Sequence, residues 1–540
     1  MSAGVYEQLV RYLAADEGNM ETQTAGCAAL GVLCHQGHRE PDFAAVLQRS
    51  GAVRAVCVAL RTHGQRSHLL LVHAAKTLSL AFVRGSDVTA ARELDAVQLL
   101  AAGLPLALRQ PDVGSAHPVE FICQALLVLA ADDATMTRLV STDTLRDISA
   151  ALRLRGAASL DFAQSACMLL RHLLLYASED MCAAASDSCV AGLQAAVRAH
   201  SDLNVQQDAW TALMMLMVKD ETTAARVFEA GLINDAAQML GQLTARSPPT
   251  PQLGEPGSVL KVVSALCETL HVALRTQTLD RDLVVTAAHA SVGAVHLYGA
   301  VDTLLDMRAC SLVRVLVEKF PHVSGLILDD GALAAVVSVM RAQLSVVEVY
   351  MSGLATLFVL VSRALKGEYL GRSADEKARK LASTGVLEVV ADALRVHVSE
   401  GDARVVRESA IETLLSVCAG CARSPGFSGP RLQPSVAARA ARAGVGAAIT
   451  ATMALQPVIR DRDAEALAAA VNRVPAPAPA PAPRACDGCG TVEAPKLMLC
   501  ARCRTARFCG AACQRAAWAE HKKACVPAAK QPAADGASSA

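Results

Sequence analysis

The stretch NVQQDAWTALMMLMVKDETTAARVFEAGLINDAAQML, residues 204–240, decides how this chain folds. Val205, Ala209, Ala212, Leu213 and Leu216 fall at offsets 0, 4, 7, 8 and 11, the positions that share one face of an α-helix. The first three are small or β-branched, so a neighbouring helix can approach closely. Gly231 precedes a second apolar run and Leu240 stands nine positions after it. A glycine there permits a tight turn between two helices whose backbones come close together.

The same signature repeats outward in both directions. Phe162, Ala166, Leu169, Leu170 and Leu173 form one copy, and Val406, Ala410, Thr413, Leu414 and Val417 another. The small position recurs at Gly26, Ala74, Ile122, Ala166, Ala209, Val262, Ala309, Gly353 and Ala410, at intervals of roughly 45 residues. The turn signal recurs as Gly51/Leu60, Gly331/Met340 and Gly385/Leu394. A unit of two long helices and a glycine turn cannot bury its apolar face alone, and must stack on its neighbours. The sequence thus resembles the armadillo/HEAT class, with 204–240 looking most like an armadillo repeat. That resemblance covers most of 1–460 in about nine units. It implies an all-α fold, an armadillo/HEAT-like α-solenoid over 1–465. Two Pro/Gly-rich stretches, 245–257 and 424–434, read as loop insertions, and 366–380 (KGEYLGRSADEKARK) as a charged extension.

Composition agrees. The chain has 540 residues, 53% hydrophobic and 3% aromatic. That apolar content excludes global disorder, and so few aromatics argue against an all-β sandwich. Basic and acidic side chains number 51 each, so no global charge draws the chain to nucleic acid or anionic lipid. The start MSAGVYEQLVRYLAADEGN lacks a basic n-region and a long apolar run. The nearest approach to a membrane span, 443–459, is interrupted by Thr450, Thr452, Gln456 and Pro457 and reads as a buried helix. The expectation is an intracellular protein, cytoplasmic and/or nuclear, without membrane contact.

Beyond the solenoid, VPAPAPAPAP (474–483) alternates proline with alanine within a linker expected over 466–485. Such a segment favours polyproline II and acts as a spacer. Residues 526–540 are small and polar and read as a disordered tail. Between them lies CDGCGTVEAPKLMLCARCRTARFCGAACQRAAWAEHKKAC (486–525), with seven of the chain's 18 cysteines. Cys486, Cys489, Cys500, Cys503, Cys509, Cys513, His521 and Cys525 follow the spacing C-x2-C-x10-C-x2-C-x5-C-x3-C-x7-H-x3-C. Each C-x2-C lets one turn aim two sulfurs at one ion, and x3 separations place donors one helical turn apart. Eight soft donors make two closed tetrahedral sites suited to zinc. A segment this short, with Leu497, Met498, Leu499, Phe508 and Trp518 as its bulky apolar residues, cannot support a core unaided. Metal binding then supplies folding free energy of roughly 10 kcal/mol or more per site.

This segment resembles the MYND zinc finger at all eight donor positions, and at Phe508, Gln514, Trp518 and the run His521–Lys522–Lys523. The resemblance implies interleaved sites: Cys486, Cys489, Cys509 and Cys513 on one zinc, Cys500, Cys503, His521 and Cys525 on the other. It also implies a protein-interaction module in which Gln514 and Trp518 dock short peptides, including proline-containing ones. With four protein donors each, the ions are expected to be structural.

Other features weigh less. Cys418 and Cys421 form a C-x-x-C without the βαβ context that redox chemistry requires. Cys34, His35 and His38 lack a second donor pair. Cys123, Cys167 and Cys267 sit at apolar helical positions and read as small hydrophobes. Only four asparagines occur, and none precedes a histidine, as the SET core of MYND-bearing lysine methyltransferases would need. Nor is there a P-loop, an H-E-x-x-H or a G-x-S-x-G. The expected function is non-enzymatic: an adaptor whose finger docks peptides and whose solenoid holds a second protein partner, with no small-molecule substrate. Residues 484–540 carry nine basic against four acidic side chains. This keeps open a transcriptional regulator acting through a basic finger. The likeness of interleaved two-zinc folds to RING modules keeps open a ubiquitin-ligase component.

Overall fold

The computed structural model of the chain describes residues 3–37, 40, 42–83, 89–110, 117–130, 132–245, 256–277, 279–299, 301–366, 373–396, 404–419, 434–455, 462–474, 498–500, 506–508 and 511–525. They divide into two compact units, Met1–Asn472 and Arg473–Ala540.

The first unit is helical throughout its described residues. It opens with α1 (Ala3–Ala15) and α2 (Met20–Gly37). Triplets that each open with a short helix follow: α3 (Phe43–Ser50), α4 (Ala52–His63) and α5 (His68–Val83), then α6 (Thr89–Glu93), α7 (Ala96–Leu108) and α8 (Pro118–Leu129), then α9 (Asp133–Leu139), α10 (Thr142–Arg155) and α11 (Leu160–Tyr176). The pair α12 (Glu179–Ala199) and α13 (Leu203–Lys219) precedes the triplet α14 (Glu221–Glu229), α15 (Leu232–Ala245) and α16 (Pro256–Thr276). A second pair, α17 (Arg281–Tyr298) and α18 (Thr303–Lys319), leads through the 3-10 turn Pro321–Val323 to α19 (Ser324–Asp329), α20 (Ala332–Ala342) and α21 (Val347–Lys366). The array closes with α22 (Ala374–Ser383), α23 (Val386–Val396) and α24 (Arg404–Ala419), then α25 (Pro434–Arg442), α26 (Val445–Leu455) and α27 (Arg462–Asn472). The long helices α2, α5, α8, α11, α13, α16, α18, α21 and α24 pack each on the next, and most of the medium helices form a second ladder beside them. The short helix is what the two-helix reading missed, and it makes the repeat armadillo-like.

Local chemistry sets these boundaries. Asp202 and Asp302 accept hydrogen bonds from the first free amides of α13 and α18, and Ser159 does the same for α11. Asp220 closes α13 and caps α14, so one residue turns the chain between two helices. The glycines that signalled turns are all left-handed: φ is 72° at Gly51, 74° at Gly231, 83° at Gly331 and 90° at Gly385, with Gly444 at 68° a further case. Several of these turns are held by a side chain from the unit before. Arg198 donates to the Ala230 carbonyl at 2.9 Å, His296 to that of Asp330 at 3.1 Å, and Arg395 to that of Ala443.

Trp210 is fully buried and donates through Nε1 to Gln206 Oε1 at 2.8 Å, while Gln206 donates to the Val197 carbonyl at 2.8 Å. One amide thus ties α13 to the end of α12. The small positions are small because helices touch there. A Cβ on Gly353 would meet Met340 Cγ at 2.5 Å, and one on Gly26 would overlap Leu13. Lysines bridge successive long helices. Lys219 donates to the carbonyls of Leu174, Leu175 and Ala177 at the end of α11, and Lys319 repeats the arrangement on Leu274, Arg275 and Gln277 at the end of α16. Each ammonium spends its three donors on carbonyls that the helix leaves unpaired.

Three expectations need correction. The helical unit does not end at 465, because α27 packs against α26 and extends it to Asn472. The 366–380 segment is not merely a charged extension. Ser373 accepts from the Glu376 amide and starts α22, which buries Ala378 and Leu381. Two helices, Gly257–Thr276 within α16 and Val347–Lys366, are long and apolar enough by length and composition to cross a membrane. Here α16 lies against α13 and α18, and α21 against α18 and α24. Within 443–459, α26 buries Val445, Ala448, Ile449 and Thr452 as expected. Most of the Pro/Gly insertions (246–255 and 424–433), nearly all of the Ala/Pro run (475–483) and the tail lie outside the described residues.

Replacing Gly385 by alanine places a Cβ 2.9 Å from Arg341 Nη2 at a backbone angle that costs an L-residue about 1–2 kcal/mol. Gly241, inside α15, has nothing within 4 Å of its would-be Cβ, and alanine there should add about 0.5–1 kcal/mol. Far-UV circular dichroism melts should show Gly385→Ala lowering the apparent melting temperature and Gly241→Ala raising it.

Candidate metal centre

In the second unit the described residues comprise β1 (Met498–Leu499), β2 (Arg507–Phe508) and α28 (Ala511–Ala524). The strands pair antiparallel, with Met498 opposite Phe508 and Leu499 opposite Arg507. The ladder continues with the Cys500 amide donating to the Ala506 carbonyl at 2.9 Å. This hairpin fixes Cys500 at the strand end and turns Phe508 inward, where both are 1% exposed.

Helix α28 has two chemically distinct faces. Cys513, Ala517 and His521 recur every four residues and point inward, with Cys513 and Ala517 packed against Cys500, Phe508 and Cys525. Cys525 follows directly on the helix end and is buried. The His521 ring meets Phe508 edge-on at 5.6 Å between centroids, and Trp518 at 5.8 Å with the planes tilted by 51°. Lys522 and Lys523 occupy the last turn, where positive charge opposes the negative end of the helix dipole.

The donor atoms of Cys500, His521 and Cys525 all lie within 4.8 Å of one another. The sulfurs of Cys500 and Cys525 are 3.9 Å apart. With Zn–S bonds of ≈ 2.3 Å, two thiolates on a tetrahedral ion stand about 3.8 Å apart. A disulfide would need about 2.05 Å. Sulfur, sulfur and imidazole at this separation therefore fit zinc. Three of the four donors expected on the second ion come together here. The fourth, Cys503, lies outside the described residues, as do Cys486, Cys489 and Cys509. Cys513 is described and is not part of the cluster.

The flank of α28 adjoining that inward face carries the predicted docking residues. Trp518 is 37% exposed, so the indole covers His521 on one side and meets solvent on the other. Together with Gln514 it lines a surface depression of ≈ 330 Å³. A third residue lines it that the sequence reading left among the basic surplus: Arg515. Its position three residues before Trp518 on a helix was the available signal.

The remaining cysteines behave as core. Cys27, Cys34, Cys57, Cys123, Cys267, Cys310 and Cys418 are buried at 1% exposure or less. Burial pushes the thiols of Cys123, Cys267 and Cys418 up to about 12. That suppresses the thiolate that redox and metal chemistry require. Cys421 and His38, the partners considered for Cys418 and Cys34, lie outside the described residues.

Residues 486–525 match the MYND finger family. No curated protein matches the chain. A solved chain from work on a conserved phosphorylation switch controlling the interaction between cadherin and β-catenin is similar, with a TM-score of 0.53 at 14% identity. The match covers 87% of this chain and 95% of that one. At that identity the likeness concerns the fold. This chain thus carries a MYND finger at residues 486–525, following in sequence a helical region with an armadillo-like fold.

Proposed function

We propose that this protein is a non-enzymatic adaptor, cytoplasmic and/or nuclear. Its finger is folded by two structural zinc ions and docks short peptides, including proline-containing ones, through Gln514 and Trp518. Its solenoid holds a second protein. The observation that carries the reading is how α28 is divided: a buried face that supplies metal donors and an adjoining flank with a part-exposed indole beside an amide. An aromatic ring next to a hydrogen-bonding group suits the flat, rigid ring of proline and the carbonyl before it.

Two ions are supported by the helix itself. Cys513 and His521 share its inward face but stand eight residues apart, about 12 Å along the axis, whereas donors on one zinc lie about 4 Å apart. One helix then serves two sites, Cys513 with Cys486, Cys489 and Cys509, and His521 with Cys500, Cys503 and Cys525. With every position on each ion taken by protein, the metal holds shape and leaves no place for a substrate or activated water. Two modest sites on one chain gain from effective concentration when a partner assembly engages both.

Metal analysis of purified full-length protein should return two zinc equivalents per chain, and a value near one would overturn the two-ion reading. Cys500→Ser should abolish the finger's metal content while the helical circular dichroism of the array persists. Loss of both together would show that the modules do not fold independently. Trp518→Ala should weaken binding of a proline-containing peptide about tenfold with zinc content unchanged. Zinc loss in parallel would make the indole a core residue instead.

A further inference from the structure

Among the described residues the depression beside Trp518 has one charged lining residue, Arg515. Among the described residues nothing pairs with it, and its side chain is exposed. The other charges on the outer half of α28 are accounted for differently. Glu520, the helix's one acid, is tied to Lys523 at 2.7 Å, and Lys522 stands a further turn beyond the indole. A ligand entering the depression therefore meets an apolar ring, an amide and an uncompensated guanidinium, with no carboxylate among the described lining residues.

From this we infer that the site selects peptides bearing a carboxylate close to the residue seated on Trp518, and that Arg515 is the specificity-determining residue. The inference rests on the peptide-docking reading above and adds the charge of the partner segment. Residues three apart on a helix hold their Cβ atoms ≈ 5–6 Å apart. A polyproline II peptide advances ≈ 3.1 Å per residue. The acid therefore falls about two positions from the docked proline, within reach of the guanidinium. An aspartate or glutamate matches better than a phosphate, because a dianionic group calls for more than the one cation that the described lining residues offer. The same count disfavours nucleic acid, which is held by runs of cations along its backbone. Arginine suits the task because its planar fork pairs with a carboxylate through two parallel hydrogen bonds.

The test uses full-length, zinc-loaded protein and three labelled peptides built on an alternating Ala-Pro frame. They are identical except for Glu, Gln or Lys two positions from the central proline, and binding is read by fluorescence anisotropy. The wild type should bind the Glu peptide about threefold more tightly than the Gln peptide, the size expected of a solvent-exposed ion pair, and the Lys peptide least. Arg515→Glu should reverse the order, Arg515→Gln should level it, and Arg515→Lys should keep it. Trp518→Ala should weaken all three alike. If Trp518→Ala weakens binding but the order survives in Arg515→Glu, the charge selection is wrong and the docking reading stands. If the wild type binds none of the peptides, or Trp518→Ala changes nothing, both fail. A single-stranded oligonucleotide held more tightly than the Glu peptide, and released by Arg515→Glu, would assign the arginine to nucleic acid and overturn the inference.

Discussion

Helix against helix, from one unit to the next, is the contact on which the large module depends. No triplet of helices here has a core of its own. The apolar face of α13 is covered by α11 on one side and α16 on the other, and the same is true along the ladder of long helices. Close approach demands small side chains at the crossing, which is why Gly26 and Gly353 tolerate no Cβ without a neighbour moving. Polar groups at the joints are satisfied across units too. The ammonium of Lys219 reaches three carbonyls at and just past the end of α11, and Arg171 of α11 pairs with Asp208 of α13 at 2.7 Å. Burial pushes the Asp208 carboxyl up and Arg171 opposes it, so the pair is a joint that must stay intact more than a source of net stability.

The finger solves the opposite problem. Its described core amounts to Cys500, Phe508 and Cys525, with Ala506, Cys513 and Ala517 at the margin. That is far too little apolar surface to offset the entropy of ordering such a segment. Donors take over the role of side-chain packing, and the same sulfurs that bind the ion fill the interior. Because metal rather than apolar burial sets the shape, α28 can leave a large aromatic at its surface. The exposed indole of Trp518 is affordable where a conventional small domain would have had to bury it.

Much of this was legible in the sequence, for identifiable reasons. The 3.6-residue periodicity of Val205, Ala209, Leu213 and Leu216 and the glycine nine residues before Leu240 carry phase and turn together, and the left-handed angles at Gly51, Gly231, Gly331 and Gly385 follow from them. The short helices were not legible. A helix such as Thr89–Glu93 is too brief to show a period, and Ala374–Ser383 is dominated by charge, although Ser373 ahead of Glu376 was a capping signal. Donor identity in the finger is written in spacing, so Cys500, His521 and Cys525 could be named as one set once the family was recognised. Arg515 could not, because a lone arginine has no spacing of its own and takes its meaning only from the ring one turn away.

Nearest-neighbour packing also grades how injury spreads through the array. A lesion at α1 or α27 trims a terminus and leaves the other joints whole. The same lesion at α13, which bears on α11, α12 and α16, severs the solenoid into two fragments that each acquire a raw apolar end. Sensitivity to substitution should therefore follow rank along the chain as well as depth beneath the surface, with the middle of the array as its keystone.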